Sequence, residues 1–235
     1  MIRVFSIIAL LAVSIAAAPR VPAAAPIDSQ IALERYELEM SSLKQPKAMI
    51  FTYTVSQAGA NSIDQRHQVY RSGATVRDET LSVDGTPLSR KVVTISRRPD
   101  RYDVVRIAPR SSAYTMLFLR AIRDGSHFDY MYEARPLIPS ESGFVVTSVT
   151  IDGETYLPRT VAFRASAGET TGTGELQYGR SAGYWVPFTA TVEADVKGKT
   201  TRERITWSDY RFPRTLPPST FVGPKPLPQA TLPPK

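Results

Sequence analysis

Residues 179–183 form the part of the sequence that comes nearest to a catalytic motif. They read Gly-Arg-Ser-Ala-Gly, which places Ser181 at the centre of a G-x-S-x-G pattern. A nucleophilic serine of this kind needs a strand before it, a helix after it and a histidine later in the chain. Residues 172–178 have a strand pattern, but residues 184–194 also have one, and no histidine follows Ser181. We therefore interpret the segment as a glycine-rich hairpin loop and expect no enzyme activity.

The histidines His67 and His127 are the other candidates for chemistry, as metal ligands or proton carriers. Neither lies in an HExxH-type motif, and the chain has no cysteine to complete a zinc site. Asp129 and Glu133 share a predicted strand face with His127, which a solvent-exposed face explains equally well. We therefore predict no metal site and no cofactor.

The elements that must position these residues are mostly strands. Ser29 can cap a helix over residues 29–43, and Pro46 ends it. A second helix is predicted over residues 112–123, where apolar side chains recur at helical spacing before Gly125. Alternating patterns between turn signals predict about ten strands. These strands cover residues 47–56, 66–71, 75–83, 91–96, 102–107, 127–133, 144–151, 156–165, 172–178, 184–194 and 200–212.

Short turns between consecutive strands favour antiparallel pairing, and an antiparallel sheet of this size must curl or split. We therefore predict a mainly antiparallel β fold, a single curved sheet or open half-barrel of about ten strands with two helices on its concave face. The half-barrel domain is expected to span residues 28–221. Residues 213–235 form a proline-rich stretch that is expected to be extended or disordered, and residues 222–235 lie beyond the domain as its tail.

Apolar and aromatic side chains line several predicted strand faces and most of the second predicted helix. They can fill a core, or they can line a cavity for an apolar ligand between sheet and helices, and the pattern leaves both open. The candidate ligand-binding residues are Phe51, Tyr53, Tyr114, Leu117, Phe118, Ile122, Val161, Phe163, Val186 and Phe188.

Residues 1–25 have the charged, apolar and small-residue order of an export signal followed by an Ala/Pro linker. Arg3 supplies the positive charge, and residues 4–13 are almost all apolar. This run is shorter than the ~20 residues of a membrane-spanning helix. We therefore expect a soluble periplasmic protein with no stable membrane insertion. Small residues offer cleavage points after Ala16, Ala17 or Ala23.

The net charge of +7 and the absence of cysteine limit the protein's partners and its means of stabilisation. Without disulfides, the core alone must hold an exported fold together. The basic residues are spread along the chain rather than clustered, so we expect no nucleic-acid partner.

Three patches of sequence resemble the periplasmic outer-membrane lipoprotein carrier (Lol-type) superfamily. Residues 97–102 read RRPDRY, residues 184–187 read YWVP, and residues 205–212 read ITWSDYRF before LPPSTF at residues 216–221. The resemblance implies an open half-barrel with a helical lid and a cavity for acyl chains. It also implies a lid-closing arginine, for which the strand residues Arg71, Arg77, Arg106, Arg159 and Arg164 are all available.

Together these features predict a non-enzymatic carrier that binds lipid or acylated protein as cargo and that meets a protein partner of the envelope transiently. The alternative is a regulatory or protein-interaction module on the same fold, with a filled core.

Overall fold

The computed structural model describes residues 25–58, 62–97, 103–138, 143–167, 170–196 and 198–223. The predicted export signal, residues 98–102 of the RRPDRY patch and most of the tail lie outside these residues. The elements are α1 (Ser29–Ser42), β1 (Ala48–Ala58), β2 (Ile63–Ser72), β3 (Thr75–Val83), β4 (Thr86–Ser96), α2 (Val104–Ile107), β5 (Tyr114–Asp124), β6 (His127–Pro136), β7 (Phe144–Ile151), β8 (Pro158–Ala167), β9 (Thr170–Ser181), β10 (Tyr184–Val196), β11 (Lys199–Arg211) and a 3₁₀ helix (Pro218–Phe221).

The eleven strands form one open antiparallel sheet in the order β4-β3-β2-β1-β11-β10-β9-β8-β7-β6-β5. Every pair joins strands that are neighbours in the chain except β1 with β11, the first and last strands. The free edges within the described residues are therefore β4 and β5. This architecture, with two α-helices, confirms the predicted fold class.

The helix predicted over residues 112–123 is wrong, because Tyr114–Asp124 is the edge strand β5. Its apolar residues lie on both faces of the strand, and a register shift occurs between Phe118 and Arg120 opposite β6. A run that is apolar on both faces satisfies helical spacing as well as strand alternation, so periodicity cannot separate the two. Gly125, predicted to end a helix, has φ +56° in the turn between β5 and β6.

The strand predicted over residues 102–107 is also wrong, because Val104–Ile107 is the short helix α2. The Asp103 side chain caps this helix by accepting a hydrogen bond from the backbone N–H of Val105. One helical turn is too short to leave a periodic signal in the sequence, so the short, mostly apolar run Val-Val-Arg-Ile did not distinguish a helix from a strand.

Part of the predicted extended tail is ordered as the 3₁₀ helix Pro218–Phe221. Arg77 of β3 donates hydrogen bonds from Nη1 to the carbonyl oxygens of Thr220 (3.0 Å) and Val222 (2.8 Å). The chain after β11 is therefore fastened back onto β3.

Helix α1 packs on one face of the sheet, which we call the inner face. Its residues Ala32, Tyr36 and Met40 are buried at helical spacing. Opposite them, residues paired across adjacent strands form a fully buried row. This row consists of Val149, Val161, Leu176 and Ala190. Neither helix is long and apolar enough to cross a membrane in the described part of the chain.

Candidate functional site: the inner face of the sheet

The inner face has a covered part beneath α1 and an open part beyond it. The buried row lies in the covered part. One row further along the strands, Phe163 pairs with Gly174 and Gly174 pairs with Val192, which is only half-buried. We call the half-buried apolar residues on the inner face, from this row onward away from the buried row, the open inner surface. It consists of Val55, Ile63, Phe144, Ala165, Val192 and Ala194.

A glycine shapes the boundary between the two parts. The rings of Phe144 and Phe163 stack with their centroids 4.9 Å apart. A Cβ at Gly174 would lie 2.4 Å from Cζ of Phe163, so only glycine leaves room for this ring. The Phe163 ring therefore closes the covered part and borders the open one.

The middle of α1 is fastened by hydrogen bonds to the segment between α2 and β5. The buried Tyr36 hydroxyl donates to the carbonyl oxygen of Pro109 at 2.6 Å, and burial raises the pKa of Tyr36 above its ordinary range. The Glu37 carboxylate accepts from Arg110 Nε and from the backbone N–H of Ser111, both at 2.6 Å. Burial raises the pKa of Glu37, but these hydrogen bonds outweigh it, and the pKa lies below its ordinary value.

The start of α1 is fastened to β6. The backbone N–H of Ile27 donates to the Tyr130 hydroxyl at 2.8 Å, and the Tyr132 hydroxyl donates to the carbonyl oxygen of Ser29. Burial raises the pKa of both tyrosines. Helix α1 is thus a cover with an apolar underside and a few polar attachments to distant parts of the chain.

The short helix α2 closes another part of the inner face. Val104 is buried, and Arg71 of β2 forms an ion pair with the capping Asp103 at 3.3 Å. A cavity of about 10 Å³ remains between α2 and strand residues that include Met49 and Phe51. This volume barely reaches the space that one water needs. The inner face beneath α2 is therefore filled, as it is beneath α1.

A polar cluster lies on the inner face of β1, β2 and β3. His67 stacks on Tyr53 with ring centroids 4.5 Å apart, and its Nδ1 lies 2.9 Å from Asp78 Oδ1. The Tyr53 hydroxyl donates to the other Asp78 oxygen at 2.6 Å. On the far side of the His67 ring, Nε2 lies 3.2 Å from Gln65 Oε1. These polar groups are hydrogen-bonded to one another beside an apolar surface.

A second cluster ties the β5–β6 hairpin to β8. Oxygens of Asp124 and Asp129 and a ring nitrogen of His127 all lie within 4.8 Å of one another, a spacing compatible with a metal ion. Arg159 Nη1, however, donates to both carboxylates, and this hydrogen bond lowers the pKa of Asp124. A guanidinium therefore already occupies the space between the two carboxylates. Glu133 lies on the same face of β6 as His127 and Asp129, as predicted, and pairs with Arg135 at 2.8 Å.

Ser181 lies in a hairpin, as interpreted from the sequence. It is the last residue of β9, Gly183 has φ +88°, and β10 begins at Tyr184. No helix follows the serine, so the segment lacks the geometry of a nucleophile elbow.

The structure separates the candidate binding residues into three groups. Four are buried, namely Phe51, Val161, Phe163 and Val186. Tyr53 and Tyr114 are half-buried, whereas Leu117, Phe118, Ile122 and Phe188 are 37–44 % exposed.

The misassigned helix explains why Leu117 and Ile122 do not join the other candidates. They pair with Glu133 and Asp129, which alternate with the inner-face residues Tyr130 and Tyr132 on β6. Phe118 is on the inner face and makes an edge-to-face contact with Tyr132 at 5.6 Å. Sequence reasoning did not select Val55 or Val192, although strand alternation already placed both on apolar faces.

The larger recesses do not lie under the helices. One of about 820 Å³ is bordered mainly by outer-face residues such as Thr191 and Glu193, which flank Val192 in β10. Another of about 770 Å³ lies between α1 and two turns, and Arg35, Tyr156 and Trp185 border it.

Comparison with known proteins yields similarity of fold alone. No family model matches the chain, and no curated protein matches it. A LolA superfamily protein from Nitrosomonas europaea is 15 % identical with a TM-score of 0.45, over 84 % of this chain and 98 % of that one. A putative outer membrane lipoprotein-sorting protein domain from Vibrio parahaemolyticus is 15 % identical with a TM-score of 0.47, over 83 % and 97 %. A DUF1329 family protein from Desulfovibrio piger is 10 % identical with a TM-score of 0.48, over 82 % and 96 %.

Proposed function

We propose that this protein is a soluble periplasmic carrier that binds the acyl chains of lipid or of acylated protein on the open inner surface, without catalysis. The observation that carries the proposal is the change in burial along β8, β9 and β10. Leu176 is fully buried, whereas Val192 and Ala165, one and two rows further along the inner face, remain partly exposed. Apolar side chains left in contact with water favour an apolar ligand.

The free energy gained by burying an acyl chain suits a carrier that binds its ligand reversibly. Removing apolar surface from water contributes about 25 cal/mol per Å², so a few hundred Å² of acyl chain contributes several kcal/mol before association costs. The polar cluster around His67 and Asp78 supplies hydrogen-bonding groups for an ester, amide or headgroup beside the chain. Such a ligand is held without a covalent step.

Helix α1 is the element that regulates access. Its underside is apolar, and it is attached through Tyr36, Glu37 and the start of the helix. Displacing α1 would expose the buried row next to the open inner surface and lengthen the apolar track. We infer that a longer acyl chain is accommodated in this way.

Periplasmic location follows from the charged, apolar and small-residue order of residues 1–25. The alternative role, a protein-interaction module, is favoured by one specific observation, the complete packing beneath α1 and α2. The two roles differ in whether the inner face binds an apolar ligand.

A fluorescent acyl probe titrated into the purified mature protein tests the proposal. Val192→Asp places a charge on the open inner surface, and we expect it to weaken binding at least tenfold, or about 1.4 kcal/mol. Thr191→Asp is the matched control, since this neighbour is exposed on the outer face, and it should bind as the wild type does. Equal binding by both variants, or no saturable binding by the wild type, would contradict the proposal.

A further inference from the structure

The two free edges of the sheet differ in how they are protected. Along β4, Pro87, Arg90 and Lys91 are exposed. Proline lacks an N–H, and charged side chains are costly to enclose between strands, so residues of these types prevent edge-to-edge pairing. Edge β4 is therefore guarded against pairing with another chain.

Edge β5 carries more exposed apolar side chains than β4, although Arg120 and Arg123 are exposed on it as well. Leu117, Phe118, Leu119 and Ile122 are 37–50 % exposed within one strand. Among the described residues β5 pairs with β6 alone, so its other side presents unpaired backbone N–H and C=O groups. A long apolar edge of this kind is a site for addition of a further strand.

We propose that β5 is a homodimer interface, in which it pairs antiparallel with β5 of a second copy of this chain. Pairing β5 with β4 of another copy would be head-to-tail and would propagate into filaments, but the guarded β4 edge opposes it. Pairing of β5 with itself uses the same surface on both copies and closes after two.

The faces of β5 match in one antiparallel register. The shift near Leu119 places Leu117 and Ile122 on the outer face and Phe118 and Ala121 on the inner face. When Leu117 stands opposite the partner's Ile122, Phe118 stands opposite the partner's Ala121. Apolar residues then meet on both faces of the joined sheet, which is the main source of cross-strand stabilisation.

Charges along β5 are compatible with this register. Arg120 stands opposite the partner's Leu119, and Arg123 stands opposite the partner's Met116. No like charges are directly opposed, and the Arg120 residues of the two copies are diagonal neighbours at the two-fold axis. The self-complementary apolar register makes a second copy the occupant we infer.

Light scattering and sedimentation of the mature protein across a concentration series test the inference. We expect a mass twice that of the chain, and we expect Leu117→Lys with Ile122→Lys to raise the dimer dissociation constant at least tenfold. Val92→Lys is the matched control, because Val92 is a 59 % exposed apolar residue on the other edge, and it should leave the dimer intact. Circular dichroism establishes that each variant remains folded.

Hydrogen exchange supplies a second readout that does not depend on substitution. Backbone amides of β5 should become more protected as concentration rises, and those of β4 should not. A wild type that has the mass of a single chain at every concentration would overturn the inference. So would a dimer that survives the β5 changes, or one that the Val92 change dissociates equally.

Discussion

The covered and open parts of the inner face are built from the same strands, yet they have different physical characters. In β9 and β10, Leu176 and Ala190 are sealed beneath α1, while Gly174 and Val192, the next inner-face pair, are partly exposed. Strand alternation is the same in both parts, so it is not the cause of the difference. The cause is how far the helices on this face reach, since they turn one part of an apolar face into core and leave the other part partly exposed.

The largest effect on stability should come from the covered part. Leu176→Ala removes a fully buried side chain from the row beneath α1, and we expect a loss of about 2–5 kcal/mol in the free energy of unfolding. Urea denaturation measures this loss. Glu175→Ala, at the exposed neighbour on the outer face, should change stability by less than about 0.5 kcal/mol. Similar losses for both variants would show that the row is not a packed core.

At the boundary between the covered and open parts of the inner face, adding a single methyl group should lower the stability of the protein. Gly174→Ala places Cβ against the Phe163 ring and 2.9 Å from the carbonyl oxygen of Thr191. We expect a loss of about 1–3 kcal/mol from overpacking, measured by thermal or urea unfolding. At Gly172 the nearest atom to an added Cβ is 3.1 Å away, so the same change there should be milder. Equal costs at the two glycines would contradict the role given to Phe163.

The attachment of helix α1 through Glu37 to Arg110 and Ser111 should depend on pH. The pKa of Glu37 is lower in the folded protein than its ordinary value, so the ionised form stabilises the fold. This contribution is fully present above about pH 4.5 and is lost as pH falls through the folded-state pKa. We expect Glu37→Gln to cost about 1–2 kcal/mol at pH 7, and we expect the difference from wild type to shrink in acid.

Unfolding measured at several pH values checks this expectation. Glu39→Gln is a suitable control, because Glu39 is exposed on the same helix. A cost at Glu37 that stays constant from neutral to acidic pH would argue against the ion pair with Arg110.

The smallest effect on stability should come from the open part. Val192→Ala should cost at most about 1 kcal/mol, because the side chain is already partly in water. The same change at the fully buried Val161 should cost about 2 kcal/mol or more, since it also leaves a cavity. For affinity we expect the opposite order: Val192→Ala should weaken binding of the acyl probe more than Val161→Ala does. If Val192 were the more costly site for stability, the division of the inner face would be wrong.

Sequence predicted much of the sheet, because its turns carry clear chemical signals. The strands over residues 75–83 and 144–151 begin and end as predicted. The first of these lies between Gly73, at φ +55°, and the turn of Asp84 and Gly85, both at positive φ. Turn chemistry of this kind is local, so it can be recognised without the fold.

The errors occurred where local pattern does not specify the structure. Edge strand β5 is apolar on both faces, so it matched a helix, and α2 is too short to be periodic. The division of the inner face was also beyond sequence, because it depends on contacts between distant residues. The Tyr36 hydroxyl meets the carbonyl of Pro109, and the Tyr132 hydroxyl meets that of Ser29. Alternation placed Val192 on an apolar face but could not say that α1 stops short of it.

The most direct test of the central claim, that the open inner surface binds acyl chains, is native mass spectrometry of the protein purified from cells without organic solvent. The account predicts additional mass equal to a bound lipid or acylated species, released by solvent extraction and diminished in Val192→Asp but not in Thr191→Asp. Recovery of ligand-free protein alone, with no uptake of added acyl probe, would contradict it.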